Sequence, residues 1–179
     1  MRRGWYRIEG VQDGDRTLAQ QVLGLDGIDF RGKTVLELAS AEGLMSKWMI
    51  ERGAKSVDGI EIVAEHVKEA WRQCKGLPCG FDVDDLNLAH APRKNYDIVM
   101  ALAILHKVKD PSAVARRYAR CCKEMVIRLP PENAPNIIDP RSGNVPYRIN
   151  DVMTSEGFNL LRVTQGHLAE WTAHYARND

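Results

Sequence analysis

Thr34-Val35-Leu36-Glu37-Leu38-Ala39-Ser40-Ala41-Glu42-Gly43 decides the fold of this chain, and Gly59-Ile60-Glu61 completes the unit one helix later. The first five residues are a buried-strand pattern, and the next five form a turn of small residues. Two strands joined by one helix make a βαβ unit. Such a unit sets a tight turn and a helix N-terminus beside a ligand, and its second strand here ends on a carboxylate able to accept hydrogen bonds from ribose hydroxyls. A nucleoside-containing cofactor is therefore the first expectation.

Outward from this unit the elements keep alternating. Leu44, Met45, Trp48 and Met49 have helical spacing and Gly53 is a stop. Val63, Val67, Ala70, Trp71 and Cys74 recur at steps of three and four, and Gly76 ends that helix. Strands are expected at 56–62, 79–83, 96–101 and 124–128. Asp110-Pro111 opens a helix with a capping acid and a first-turn proline. Upstream, Asp15 is read as the cap of a first helix with Leu18 and Val22 on one face. Downstream, Pro130, Pro131, Pro135, Pro140 and Pro146 mark a loop, a lid or substrate-facing excursion. Asn150 then caps a short helix ending near Gly157. Two last strands, 160–164 and 171–176, have no long helix between them and so are expected to pair as an antiparallel hairpin. The fold class is α/β: a Rossmann-like, mostly parallel sheet with helices on both faces and a C-terminal antiparallel hairpin.

At 179 residues the chain suits one domain, 1–179. Lys and Arg number 25 against 24 Asp and Glu, so no global charge draws it to nucleic acid or an anionic membrane. No apolar run approaches a membrane span and Met1-Arg2-Arg3-Gly4-Trp5 lacks a signal-peptide core, so the cytoplasm is expected. The four cysteines, Cys74, Cys79, Cys121 and Cys122, have no C-x-x-C spacing, and are read as structural, with no metal site.

Four segments in order resemble the class I S-adenosylmethionine-dependent methyltransferases, from about Gly32 onward. Residues 35–43 look like the family's acidic strand end and glycine-rich turn. Val57-Asp58-Gly59-Ile60-Glu61-Ile62 is similar to the segment whose acid holds the ribose. Phe81-Asp82-Val83-Asp84-Asp85-Leu86 is similar to the one in which an acid and the next amide recognise adenine, with Asp82 preferred over Asp84. Tyr96-Asp97-Ile98-Val99 through Leu105-His106-Lys107-Val108-Lys109-Asp110-Pro111 looks like the fourth strand and its loop. The resemblance implies cofactor contacts at Glu37, Ala39, Ala41, Gly43, Glu61, Ile62, Asp82, Val83 and Ala101. S-adenosylmethionine is the implied cofactor and S-adenosylhomocysteine the product.

The chain departs from that pattern where the family often has glycine, since Ala39 and Ala41 stand in the turn and only Gly43 remains. A Cβ disfavours positive φ, so the turn is expected to use conformations an L-residue tolerates. A dinucleotide fingerprint on the same turn wants glycine at 39, 41 and 44, which argues against a nicotinamide oxidoreductase. Gly27-Ile28-Asp29-Phe30-Arg31-Gly32-Lys33-Thr34 matches a Walker sequence literally, but a P-loop Lys-Thr begins a helix and this one runs into a strand pattern. Asp29 would also repel phosphate.

Methyl transfer from an activated sulfonium needs chiefly alignment and exclusion of water. A base is needed only when the acceptor must lose a proton. His106, just beyond strand 96–101, is the candidate catalytic residue. Met100-Ala101-Leu102-Ala103-Ile104 lacks the acid or Asn followed by Pro-Pro and an aromatic that orients a nucleobase amine, so a small-molecule acceptor is expected, with RNA or protein as alternatives. Trp5, Tyr6 and the proline-rich stretch line the acceptor pocket or, for the aromatics, pack the core. The other readings are a catalytically silent cofactor-binding or interaction protein on this fold, and a non-methylating enzyme using this cofactor.

Overall fold

The computed structural model describes residues 2–88, 90, 92, 94–130 and 145–177. It divides into two compact units, Met1–Asp85 and Leu86–Asp179.

The first unit opens with a two-stranded sheet that the sequence reading missed, β1 (Arg2–Tyr6) beside β2 (Gln12–Arg16). Asp15 lies in β2 and is not a cap. Thr17 caps α1 (Leu18–Val22) instead, in a reciprocal box with Gln20, which satisfies two amides that Asp15 is placed too early to reach. Then come β3 (Thr34–Leu38), α2 (Leu44–Glu51), β4 (Ser56–Glu61), α3 (Ala64–Gln73) and β5 (Cys79–Val83). Strands β5, β4 and β3 lie in that order and all run parallel. Val35, Leu36, Glu37 and Leu38 are all buried, as a strand covered on both faces requires. Met45, Trp48 and Met49 of α2 are buried too, with Phe30 meeting the Trp48 ring edge-on at 5.7 Å. Each such side chain contributes roughly 1.5–3 kcal/mol on burial. Val67 and Ala70 of α3 and its capping residue Cys74 close on Phe81 as expected, but Trp71 is 50% exposed, on the rim of the stripe, with its ring edge-on to Phe81 at 5.5 Å.

The Walker-like stretch behaves as its hydropathy indicates. Thr34 opens β3, and Asp29 is clamped by the Arg31 guanidinium at 2.8 Å, which holds its carboxyl down at about 2.

The second unit holds β6 (Tyr96–Leu102), a 3-10 turn at Leu105–Lys107, α4 (Pro111–Ala119), β7 (Cys122–Leu129), α5 (Val145–Ser155), β8 (Phe158–Gln165) and β9 (Trp171–Arg177). Asp110 caps α4 through the Ala113 amide with Pro111 in the first turn. β6 and β7 are parallel, whereas β9 is antiparallel to both β7 and β8 and lies between them. The fold is the expected mostly parallel α/β sheet with a C-terminal antiparallel hairpin.

Asn150 does not cap α5. That helix begins five residues earlier, at Val145, with Pro146 in its first turn, where a missing amide hydrogen costs nothing. Pro131, Pro135 and Pro140 lie outside the described residues.

Candidate functional site

In the turn after β3, three residues are left-handed: Ala39 (φ 57°), Ala41 (φ 47°) and Gly43 (φ 76°). The turn thus keeps the conformation glycine favours and imposes it on two alanines, contrary to the expectation that they would avoid it. Each alanine pays roughly 1–2 kcal/mol for this. Backbone bonds hold it in place, from Ser40 N to Ile60 O and from Gly43 N to Ser40 O, both 3.0 Å. Only at Gly43 is glycine also needed for space, since a Cβ there would lie 2.9 Å from the Ala70 Cβ and 3.1 Å from the Phe81 ring. Backbone strain of this kind clusters where a ligand is held.

The acids around the turn differ in role. Glu37, near the end of β3, is buried and accepts a 2.5 Å hydrogen bond from the Ser46 hydroxyl on α2. Burial pushes its carboxyl up to about 8 against the lowering effect of that bond, with Cys79 and Glu61 adding smaller upward effects. Glu61 ends β4 and braces the turn, one carboxylate oxygen accepting from Ala41 N at 3.0 Å and the other from Val63 N at 2.9 Å. Each oxygen has a second lone pair for a further donor. Glu42, which no pattern singled out, is fully buried and accepts from the Trp5 and Tyr6 amides of β1 at 2.8 and 3.1 Å. His66 on α3 stands between the two, Nε2 3.4 Å from Glu42 and Nδ1 3.8 Å from Glu61. Tyr6 itself is core, so its side chain lines no pocket mouth.

Glu61 pairs in register with Val83 at the carboxyl ends of β4 and β5. Beside that pair the chain leaves two large apolar side chains in water, Ile62 at 61% exposed and Val83 at 55%. Asp82 is exposed one residue before the end of β5, while the Asp84 carboxylate is engaged locally by the Asp85 amide at 2.8 Å. Glu37, Ala39, Ala41, Gly43, Glu61, Ile62, Asp82 and Val83 are all in the first unit, gathered on the turn and the adjoining strand ends.

Ala101 and His106 belong to the second unit. β6 runs one residue further than expected, to Leu102, so Ala101 is sealed inside the strand. Ala103 follows with φ 57° and donates its amide to Arg128 O at 3.1 Å. His106 sits in the 3-10 turn and is 7% exposed. Another group the sequence did not mark is Arg128 of β7, fully buried, its Nε 2.9 Å from the Thr172 hydroxyl and 4.0 Å from the buried Glu170 carboxylate.

Residues 35–125, over half of the chain, match the model of a methyltransferase domain. This chain belongs to that methyltransferase family. It is 32% identical to the ubiquinone biosynthesis O-methyltransferase of Neisseria meningitidis serogroup C (strain 053442) over 105 residues, 55% of this chain and 44% of that one. The enzyme of the same name from Hahella chejuensis (strain KCTC 2396) is 34% identical over 110 residues, 56% and 45% of the two chains. The chain therefore spans less than half the length of these relatives. In fold it is similar to an S-adenosylmethionine-dependent methyltransferase from Mesorhizobium loti, with a TM-score of 0.70, 14% identity and coverage of 84% of this chain and 93% of that one. Magnesium protoporphyrin IX methyltransferase from Synechocystis PCC 6803, solved with S-adenosylmethionine bound, gives 0.68 and 19% over 84% and 72%.

Proposed function

We propose that this methyltransferase-family chain binds S-adenosylmethionine in the first unit and transfers its methyl group directly to a small-molecule acceptor. The observation that carries the reading is Glu61, a buried carboxylate at the end of β4, braced against the left-handed turn by the Ala41 amide. The remaining lone pairs suit the two ribose hydroxyls. Ile62 and Val83 offer an exposed apolar platform for a nucleobase, with Asp82 and the Val83 amide for its polar edge. The small side chains at 39, 41 and 43 allow close backbone approach, and Glu37 sits below them. When bound, the cofactor supplies a methyl group activated on a sulfonium. The protein's part is to orient that group and exclude water. His106 is assigned the role of base where an acceptor hydroxyl must lose its proton. The names of the two O-methyltransferase relatives support an acceptor of this kind.

We read residues 1–179 as one domain, because the family match crosses both units. Among the described residues no helix is long and apolar enough to cross a membrane, and the four cysteines are free thiols, which supports a reducing compartment such as the cytoplasm.

The test is a thermal-shift and calorimetric comparison of S-adenosylmethionine, S-adenosylhomocysteine, NAD and ATP, followed by an acceptor screen read by S-adenosylhomocysteine release. At about 100 times Kd, binding adds about 2.7 kcal/mol and raises the midpoint by roughly 5–10 °C. A shift with NAD or ATP and none with the first two compounds would overturn the reading. Binding without turnover on any acceptor would favour a silent binding protein.

A further inference from the structure

The second unit contains a cavity of about 210 Å³ that the methyltransferase reading does not use. Its floor is one face of three adjacent strands. Ile127 pairs with Ala173 and Leu129 with Trp171, so all four point the same way, opposite to Arg128 and Thr172. On β8 a bulge between Leu160 and Arg162 shifts the alternation so that Leu160 and Val163 join that face. Ile149 and Asn150 of α5 form the opposite wall.

The lining sets the chemistry of an occupant. Among the described lining residues none carries a charge, so they offer a charged ligand no partner. The floor is a flat sheet face and Trp171 and Tyr175 add aromatic surface. An apolar cavity of about 150 Å³ is enough to take up benzene, so this one has room for a second fused ring. One polar pair interrupts the apolar wall: the Tyr175 hydroxyl donates to Asn150 Oδ1 at 3.4 Å, a long bond that a better-placed donor would displace. Burial pushes the Tyr175 phenol up to about 12, so it stays a neutral donor at physiological pH. Leu160 and Val163, each 46% exposed, leave the mouth open along the edge strand.

We infer that this cavity is a binding site for an uncharged, flat aromatic molecule of about two rings carrying a single hydroxyl, which docks on the β7–β9–β8 face and engages Asn150. The inference does not depend on the cofactor reading, because its residues lie wholly in the second unit.

The test titrates the full chain with 1-naphthol, 1-naphthoate and naphthalene, read by calorimetry and by the change in tryptophan fluorescence that is lost in Trp171→Phe. Saturable 1-naphthol binding with Kd on the order of 10–100 µM is expected. Naphthoate should bind at least tenfold more weakly, and Asn150→Leu should remove the preference for naphthol over naphthalene. Ala173→Leu fills the cavity and should weaken naphthol at least tenfold. Val163→Phe, on the exposed edge, should block the mouth in a chain whose far-ultraviolet circular dichroism is unchanged. Neither filling variant should alter stabilisation by S-adenosylmethionine. Absence of saturable naphthol binding below 1 mM, equal affinity for naphthoate, or unchanged naphthol affinity in folded Val163→Phe would each overturn the inference.

Discussion

Replacing Glu37 by Gln should change how stability responds to pH. Glu37 is fully enclosed, and burial raises its carboxyl from an ordinary 4.5 to about 8 in the folded state. Between those values the folded chain holds a proton that the unfolded chain has released, so folding gains stability that is complete below about 4.5 and is lost as pH rises through about 8. From pH 6 to pH 9 this group alone should remove about 2.7 kcal/mol, which for a chain of this size is roughly 5–10 °C in midpoint. Glu37→Gln keeps an oxygen to accept from Ser46 and has no proton to lose. The variant should therefore match the wild type near pH 4 and exceed it by about 2 kcal/mol at pH 6 and about 4.7 kcal/mol at pH 9. Urea unfolding at half-unit pH intervals, read by circular dichroism, gives the two profiles. Parallel profiles would show that Glu37 ionises in the folded state as it does in water, and the burial argument would fall.

Ala39→Gly and Ala41→Gly should each raise stability by about 0.5–1 kcal/mol, since relief of the left-handed strain outweighs the added freedom of the unfolded chain; denaturant midpoints lower than wild type would show the turn is not strained. Glu61→Ala should weaken S-adenosylmethionine binding roughly ten- to a hundredfold in calorimetry and also cost about 1–3 kcal/mol of stability, because the Ala41 and Val63 amides lose their acceptor. Unchanged affinity would move the ribose contact elsewhere. Arg128→Met should cost roughly 3–5 kcal/mol by removing a buried guanidinium that bonds Thr172 and lies beside the Glu170 carboxylate; a variant within 1 kcal/mol of wild type would mean that the buried charge is dispensable.

What was legible in the sequence was what is local. β3, α2, β4, α3 and β5 each carry their own period and their own stop, and the structure places their ends within a residue or two of those expected. β2 carries no such signal, because its inward positions are Gln12 and Arg16, paired to Tyr6 O and Gln21 rather than packed as hydrophobes. Glu42 was silent for a related reason: the amides it serves are 36 and 37 residues away in the chain. Local preference also misled. Alanine's reluctance to adopt positive φ is real, yet the bonds to Ile60 and Glu61 outweigh it, and those partners lie across the sheet. Trp71 fits the helical stripe by spacing, but its place at the rim of that stripe leaves it half exposed.

The position of β9 bears on how the chain is made. Of the strands in the second unit it is the last to leave the ribosome, yet it occupies an interior place between β7 and β8. Until residue 177 has emerged, β7 presents a bare row of amides and carbonyls along Cys122–Leu129, and β8 has nothing to pair with. Contacts such as Met125 with Tyr175 close a loop of about 50 residues, the kind of pairing that forms late and slowly. For that interval the nascent chain is an open template for another strand, so aggregation during synthesis, rather than marginal stability once folded, is the hazard this topology builds in.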